Sequence, residues 1–171
     1  QDLYKTIMLG SNRILQLINQ LLDIRKIDKE MLKLSFKETE IIGYVKDGLD
    51  LFEQLIIDKD IQFKFTHEGL EDLYAWIDPT HFDKILNNLL SNAIKFTPTE
   101  GKIELNISKE FKDNKEYFKI TITDNGIGIP SQEIDKIFER FYQVQNATKS
   151  GTGIGLHLTR SLVEMHHGTI H

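Results

Sequence analysis

The 171 residues contain no cysteine. Disulfides and thiolate metal sites are therefore excluded, and the composition fits a reducing compartment such as the cytoplasm. No apolar run approaches the ~20 residues that a membrane-spanning helix needs, and the opening residues QDLYK lack a signal-peptide pattern. Nor is there an excess of positive charge: 21 Lys and Arg stand against 26 Asp and Glu, a formal net charge of −5 with the signs interspersed. Binding to a nucleic-acid backbone needs a broad basic surface, so nucleic acid is not an expected partner. Internal repeats and low-complexity stretches are absent from the sequence as well. What is present is 40% hydrophobic residues, enough for one sizeable core and a short appendage. The chain opens inside a helical pattern and stops at the start of an expected strand. Both ends are thus expected to continue in a longer protein, with any membrane segment outside these residues.

From residue 3 to 27, Ile7, Ile14, Leu15, Ile18, Leu21 and Leu22 recur at three-, four- and seven-residue spacing without proline. This predicts an amphipathic helix. Ile7, Ile14 and Leu21 make one heptad row, and Leu15 with Leu22 a second beside it. The stripe is wider than a two-stranded seam and suits a helical bundle or a core helix of the same domain. The charged stretch IRKIDKE that follows reads as a hinge. Beyond it the pattern changes to short alternations: Leu32, Leu34 and Phe36; Ile61, Phe63 and Phe65; Ile103, Leu105 and Ile107; Phe118, Ile120 and Ile122. Each reads as a half-buried strand. Residues 42–57 and 79–96 carry helical periodicity, the second with Asp78 as N-cap and Pro79 at the first helical position. Asp113 and Asn114 mark a hairpin turn. The expected fold is α+β, a two-layer α/β sandwich with helices on one face of the sheet, preceded by a long amphipathic helix.

Four segments depart from what packing alone asks for. In NNLLSNAIKF, residues 87–96, Asn88 and Asn92 lie four apart on one helical face with Lys95 one turn further on. Asparagine offers a neutral oxygen to a hard cation such as Mg²⁺, and equally suits an exposed polar face or a buried amide hydrogen bond. DNGIGIP, residues 124–130, follows a strand directly. Its spaced glycines allow close backbone approach, and Asp124 can accept a hydrogen bond from an exocyclic amine such as that of adenine; an Asx turn is the plainer reading. GTGIGL, residues 151–156, opens a helical run through Met165, so backbone N–H groups and the positive end of a helix dipole become available to phosphate, or else the glycines form a flexible hinge. Its spacing is neither GxGxxG nor GxxxxGK, which excludes the dinucleotide fingerprint and the P-loop. FERFYQ, residues 138–143, precedes a polar stretch running to Ser150, the pattern of a mobile lid with a packed base or of ordinary core packing.

Taken in order, these segments resemble the N, G1, F and G2 boxes of sensor histidine kinases over residues 30–171, and LINQLLDIRKID resembles the second helix of the kinase dimerisation module. The resemblance implies the Bergerat ATP-binding fold, shared with gyrase-type and chaperone ATPases. It divides the chain into a partial dimerisation helix, 1–29, and an ATP-binding catalytic domain, 30–171, truncated at its C-terminus. By the same resemblance Asn92 matches the Mg²⁺-ligating asparagine, Asn88 an accompanying polar residue and Lys95 a phosphate contact. Asp124 matches the adenine-reading aspartate, and Gly126 and Gly128 line the base pocket. Gly151, Thr152, Gly153, Gly155 and Leu156 fall at the lid's phosphate end. Two positions depart from the family pattern: Gln143 stands where many relatives have a phosphate-contacting arginine, and Ser150 where a further glycine is common. Arg140 or Lys149 is then the candidate for the missing charge.

Six histidines are present, none in the His-Glu sequence with following Pro that marks the kinase acceptor box. His166 and His167 are adjacent, so on a helix they point about 100° apart and do not make a metal pair. The implied activity is transfer of the γ-phosphoryl group of Mg²⁺-ATP to a histidine on a dimerisation domain, with a response-regulator receiver as the next partner. The full-length protein is expected to be a homodimeric, membrane-anchored bacterial sensor kinase, with this chain on the cytoplasmic side. Two other readings remain: a binding domain without catalysis, and an ATP hydrolase of the gyrase type. The latter places a water-activating glutamate four residues before the metal asparagine, and here that position is Asn88.

Overall fold

In the computed structural model, residues 2–67, 69–70, 72–112, 114–144 and 151–171 are described. The elements run α1 (Asp2–Asp28), β1 (Lys37–Glu40), α2 (Ile41–Asp50), α3 (Glu53–Asp58), β2 (Gln62–Thr66), β3 (Tyr74–Ile77), α4 (Pro79–Phe96), β4 (Lys102–Lys112), β5 (Lys115–Asp124) and α5 (Gly155–Met165). They form two compact units, Ser35–Ser131 and a terminal unit made of Gln1–Leu34 with Gln132–His171. Helices and sheet are mixed, so the class is α+β as expected.

In the Ser35–Ser131 unit, β4 is the middle strand of a three-stranded sheet, parallel to β2 and antiparallel to β5. The alternation seen in the sequence sets its faces. Ile103, Leu105 and Ile107 of β4 are buried on one face, while Lys64, Lys102, Glu104 and Asn106 occupy the other, where Lys64 pairs with Glu104 and the Asn106 amide donates to Thr66. Helix α4 contributes buried Phe82, Ile85, Leu86, Leu90, Ala93 and Ile94, and Phe82 meets Phe118 of β5 edge to face, ring centroids 6.0 Å apart. The expected turn closes the β4–β5 hairpin: Lys112 pairs with Lys115, and Asn114 adopts φ 60, the left-handed conformation that asparagine tolerates; Asp113 lies outside the described residues.

Two expectations are corrected. Leu32, Leu34 and Phe36 form no strand, because the backbone N–H of Ser35 is taken by the Asp78 carboxylate at 2.6 Å; pairing begins only at Lys37. The strand that does form, KETE, pairs with β3, and neither carries the apolar alternation that marks a half-buried strand. The helix read over 42–57 is two helices. Between them the N–H of Phe52 bonds the Leu49 carbonyl at 2.8 Å, a tight turn that buries Phe52 and leaves Leu51 exposed.

Helix α4 starts where Asp78 and Pro79 said it should. Asp78 Oδ1 accepts the His81 N–H at 3.0 Å and Oδ2 accepts that of Ser35, with the His81 ring nitrogen Nδ1 also 3.0 Å from Oδ1. Burial acts to raise the Asp78 pKa, but the hydrogen bonds from Ser35 and His81 outweigh it and hold the carboxyl below its ordinary value. Nearby, the Tyr44 hydroxyl is shared between the Pro79 carbonyl and the Asp83 carboxylate; burial first, then that carboxylate, pushes its pKa well up.

In the terminal unit α1 and α5 pack together. Ile24 of α1 is buried, whereas Ile7, Ile14, Leu15, Ile18, Leu21 and Leu22, the apolar stripe read in the sequence, are 43–60% exposed.

Asp78→Ala is expected to cost about 1–2 kcal/mol at neutral pH, the upper range for a helix cap. A folded pKa below the unfolded one contributes stability above about pH 4 that is lost as pH falls through the folded value. Urea unfolding of both proteins should therefore show the gap narrowing on acidification, and a gap constant down to low pH would contradict this account.

Candidate functional site

The candidate residues divide between the two units. Asn88, Asn92, Lys95, Asp124, Gly126 and Gly128 belong to Ser35–Ser131, and Arg140, Gly151, Thr152, Gly153, Gly155 and Leu156 to the terminal unit.

In the first group, Asn88, Asn92 and Lys95 are half-buried on α4, away from the face that carries Leu86, Leu90 and Ala93. The Lys95 ammonium lies 4.7 Å over the Phe96 ring, and the Ser91 hydroxyl bonds the Asn88 backbone carbonyl. Asp124 ends β5 and is exposed; its Oδ1 accepts the Gly126 N–H at 2.8 Å, the Asx turn that was one reading of this segment. An ionised carboxylate accepts about four hydrogen bonds, so this turn leaves capacity for an amine. Asn125 locks the strand end, its Oδ1 accepting the Lys102 N–H at 2.7 Å and its own N–H bonding the Lys102 carbonyl.

The glycine at 126 is required by proximity. A Cβ built there would lie 2.7 Å from both the Phe96 carbonyl oxygen and Asp124 Oδ1. Two of the four segments are therefore in backbone contact: the end of the asparagine helix rests against the first glycine turn. Gly128, at φ 67, adopts the left-handed conformation. A cavity of about 300 Å³ touches Asp124 and Asn125, but its other walls, Gln62, Phe63, Lys64, Lys102, Ile103, Glu104 and Thr123, come from the sheet and not from α4.

In the second group, the aromatic segment and the second glycine segment are also joined. Phe141 N–H donates to the Gly153 carbonyl at 2.8 Å, and a Cβ at Gly153 would stand 2.5 Å from the Phe141 carbonyl carbon. Phe141 itself has φ 62, an uncommon conformation for an aromatic residue. Phe138 is buried beneath the Arg160 guanidinium, which lies 3.9 Å from its ring centroid. Tyr142 bonds the Glu133 carboxylate. The Thr152 hydroxyl accepts the Ile154 N–H at 3.3 Å just ahead of α5, whose N-cap Ile154 offers no side-chain cap. The first N–H groups of a helix have no intrahelical acceptor, so those at the start of α5 are the donors of this group. The polar stretch expected to form the lid, with Lys149 and Ser150, lies outside the described residues from 145 to 150.

Arg140 has partners that sequence reading did not foresee. Its Nε donates to His157 Nε2 at 2.9 Å, and its two terminal nitrogens grip both oxygens of Asp28, at the end of α1. With Nε2 accepting, the His157 proton sits on Nδ1 and donates to the Phe138 carbonyl at 3.0 Å. The hydrogen bonds from Arg140 hold the Asp28 carboxyl below its ordinary value and raise that of Arg140. A sequence separation of 112 residues hides this pair from any pattern in the chain.

The model of the histidine kinase-, DNA gyrase B- and HSP90-like ATPase family matches residues 77–171. The sensor histidine kinase WalK of Bacillus subtilis is 31% identical over 164 residues, 94% of this chain and 26% of WalK. The chain spans 12% of another such relative, a histidine kinase of Formosa agariphila that is 33% identical over 168 residues. Among solved structures, the catalytic domain of the histidine kinase ThkA superposes with a TM-score of 0.66 at 30% identity, covering 77% of this chain and 81% of that domain. ThkA in complex with the response regulator TrrA gives 0.70 at 26% identity over 96% of this chain and 45% of that one. Full-length ShkA in complex with AMPPNP gives 0.78 at 25% identity, over 96% of this chain and 34% of ShkA.

In Arg140→Ala, the Asp28 carboxyl should titrate at a higher pH than in the parent, near the ordinary aspartate value. Because the parent's folded pKa is depressed, the ion pair is intact above that value and is lost as pH falls through it. Carboxyl carbon NMR checks this, and an unmoved Asp28 titration would refute the pairing.

Proposed function

Because this chain belongs to the histidine kinase-, DNA gyrase B- and HSP90-like ATPase family, we propose that it is the ATP-binding catalytic part of a sensor histidine kinase, delivering the γ-phosphoryl group of Mg²⁺-ATP to a histidine on a dimerisation domain. The observation that carries this reading is the seating of Gly126 against the Phe96 carbonyl, which brings the helix of Asn88, Asn92 and Lys95 to the strand end that presents Asp124. In the proposed assignment Asp124 accepts a hydrogen bond from the adenine amine, beside Gly126 and Gly128. Lys95 contacts phosphate. The N–H groups of Gly151, Thr152, Gly153, Gly155 and Leu156 serve the phosphates from the start of α5.

The side-chain oxygen of Asn92, with Asn88 beside it, suits Mg²⁺: half-buried amides are hard, neutral donors that complement phosphate oxygens and water. Mg²⁺ neutralises charge that develops on the transferred group. Arg140 reaches a phosphate only by exchanging Asp28 for it, both being oxyanions that its planar fork grips in the same way. In the transfer the bond from γ-phosphorus to its bridging oxygen breaks, a nitrogen–phosphorus bond forms on the acceptor imidazole, and ADP leaves. The chain's residues supply positioning and charge stabilisation. The hydrolase reading is not favoured, because Asn88 provides no carboxylate to activate water.

We further assign residues 1–29 to the second helix of the dimerisation module and 30–171 to the catalytic domain. The exposed rows Ile7, Ile14, Leu21 and Leu15, Leu22 support the first of these, as a face for a helical bundle in a homodimer. ThkA, solved with a response regulator, supports a receiver domain as the partner that takes the phosphoryl group. In the full-length protein the chain lies on the cytoplasmic side of a membrane-anchored kinase.

Calorimetry should show ATP bound much more tightly than GTP, which presents a carbonyl where adenine presents its amine. Asp124→Ala should cost roughly 1–3 kcal/mol of ATP binding. Equal affinity for the two nucleotides would sink the Asp124 assignment. Given labelled Mg²⁺-ATP, the chain alone should take up no acid-labile label, because none of its histidines lies in the acceptor sequence. A purified helical domain bearing the acceptor histidine from the same full-length protein should become labelled when added. Label on the chain alone would refute the reading.

A further inference from the structure

We infer that Lys59 is a positioning residue of the nucleotide site, acting through the last turn of α4. The inference rests on the proposed reading of Asn88, Asn92, Lys95 and Asp124 as nucleotide contacts.

The final carbonyls of a helix have no donor within it and carry the negative end of its dipole. In α4 the Ala93 carbonyl is met by the Thr97 N–H at 3.0 Å. Those of Ile94 and Lys95, and that of Thr97 just beyond the helix, face the ammonium of Lys59, at 2.5, 3.4 and 2.7 Å. An ammonium has three protons to donate, and three carbonyls lie within its reach, two of them closely. Lys59 stands in the turn between α3 and β2, and that turn is itself fixed: its carbonyl accepts the Glu100 N–H at 3.0 Å, and the Gln62 N–H bonds the Gly101 carbonyl at 2.8 Å. One half-buried charge thus clamps the end of α4 to the loop that leads into β4.

This clamp lies between the parts of the site. Asn92 and Lys95 belong to the turn it closes. The carbonyl of Phe96, between two of the clamped ones, is the surface on which Gly126 sits. Without the ammonium, the carbonyls of Ile94, Lys95 and Thr97 lose this donor. Phe96 then shifts, and Gly126 shifts with it, carrying the Asp124 turn.

An ordinary helix cap would affect stability alone, so the test separates stability from affinity. Mg²⁺-ATP binding to the whole chain, to Lys59→Met and to Lys59→Arg is measured by calorimetry at a temperature where circular dichroism shows all three folded. Tyr44→Phe, which removes the hydroxyl on the Pro79 carbonyl at the other end of α4, serves as the control for lost stability. Lys59→Met should bind about tenfold or more weakly, while Lys59→Arg and Tyr44→Phe stay within about threefold of the parent. Hydrogen exchange in Lys59→Met should quicken at residues 92–97 and 124–128. Parent-like affinity in Lys59→Met, an equal loss in Tyr44→Phe, or no rescue by arginine would overturn the inference. If Lys59→Met does not fold, Lys59→Gln takes its place, since its amide still serves one carbonyl. An intermediate loss supports the inference and parent-like affinity overturns it. A parent chain that binds no nucleotide overturns the site reading and this inference with it. Binding by the parent that the variants leave unchanged overturns only the role of Lys59.

Discussion

A helix that ends inside a protein must have its last carbonyls and first N–H groups answered from elsewhere, and α4 is answered at both ends by a charged side chain. Asp78 meets the first turn and reaches back to the backbone of Ser35. Lys59 meets the last turn and ties it to the approach to β4. Between these two charges lie the asparagines and Lys95, on the face that the buried Leu86, Leu90 and Ala93 leave outward. Side-chain packing orients the helix about its axis, while the two charges set its position along that axis. A site made of groups on a helix and on a neighbouring strand end needs both kinds of restraint, since a ligand reads the distance between them.

The parts of this arrangement that are local in sequence were legible there. The start of α4 follows from Asp78 and Pro79, and the strands β2, β4 and β5 from apolar residues at every second position, because capping and burial leave a signature within a few residues. The short ribbon of β1 and β3 was not legible: KETE and YAWI pair along their backbones, which composition does not record. The break at Leu51 and Phe52 was missed because both halves keep the helical period across it. For the candidate site, residue types and order pointed to nucleotide chemistry, yet the sequence was silent on what each group touches. The partners of Lys59 lie 35 to 38 residues away and those of Arg140 as far as 112. Such pairs are fixed by topology, and no local pattern carries them.

In the terminal unit Arg140 occupies a comparable position, with its guanidinium divided between the end of α1 and the first turn of α5. The aromatic residue beside it is held in a left-handed conformation against Gly153, an arrangement that costs on the order of 1–3 kcal/mol and persists only where neighbours enforce it. Backbone strain at Phe141 thus stands beside an ion pair that joins residues 112 apart in the sequence, Asp28 and Arg140.

The β4–β5 hairpin has a different character at its two ends. At Asp124 the hairpin belongs to the three-stranded sheet, but β2 accompanies β4 only as far as Asn106. Beyond that point the strands continue as a two-stranded ribbon held by ion pairs of Lys109 with Glu116 and Lys119 with Glu110, and carrying an exposed Phe111. At ~3.4 Å per residue the turn at Asn114 is roughly 30 Å from Asp124. A reporter dye, an affinity tag or a short inserted peptide placed at that tip would therefore change neither the strand end nor the helix that faces it, which makes the tip a natural handle for following this protein without disturbing the chemistry proposed for it.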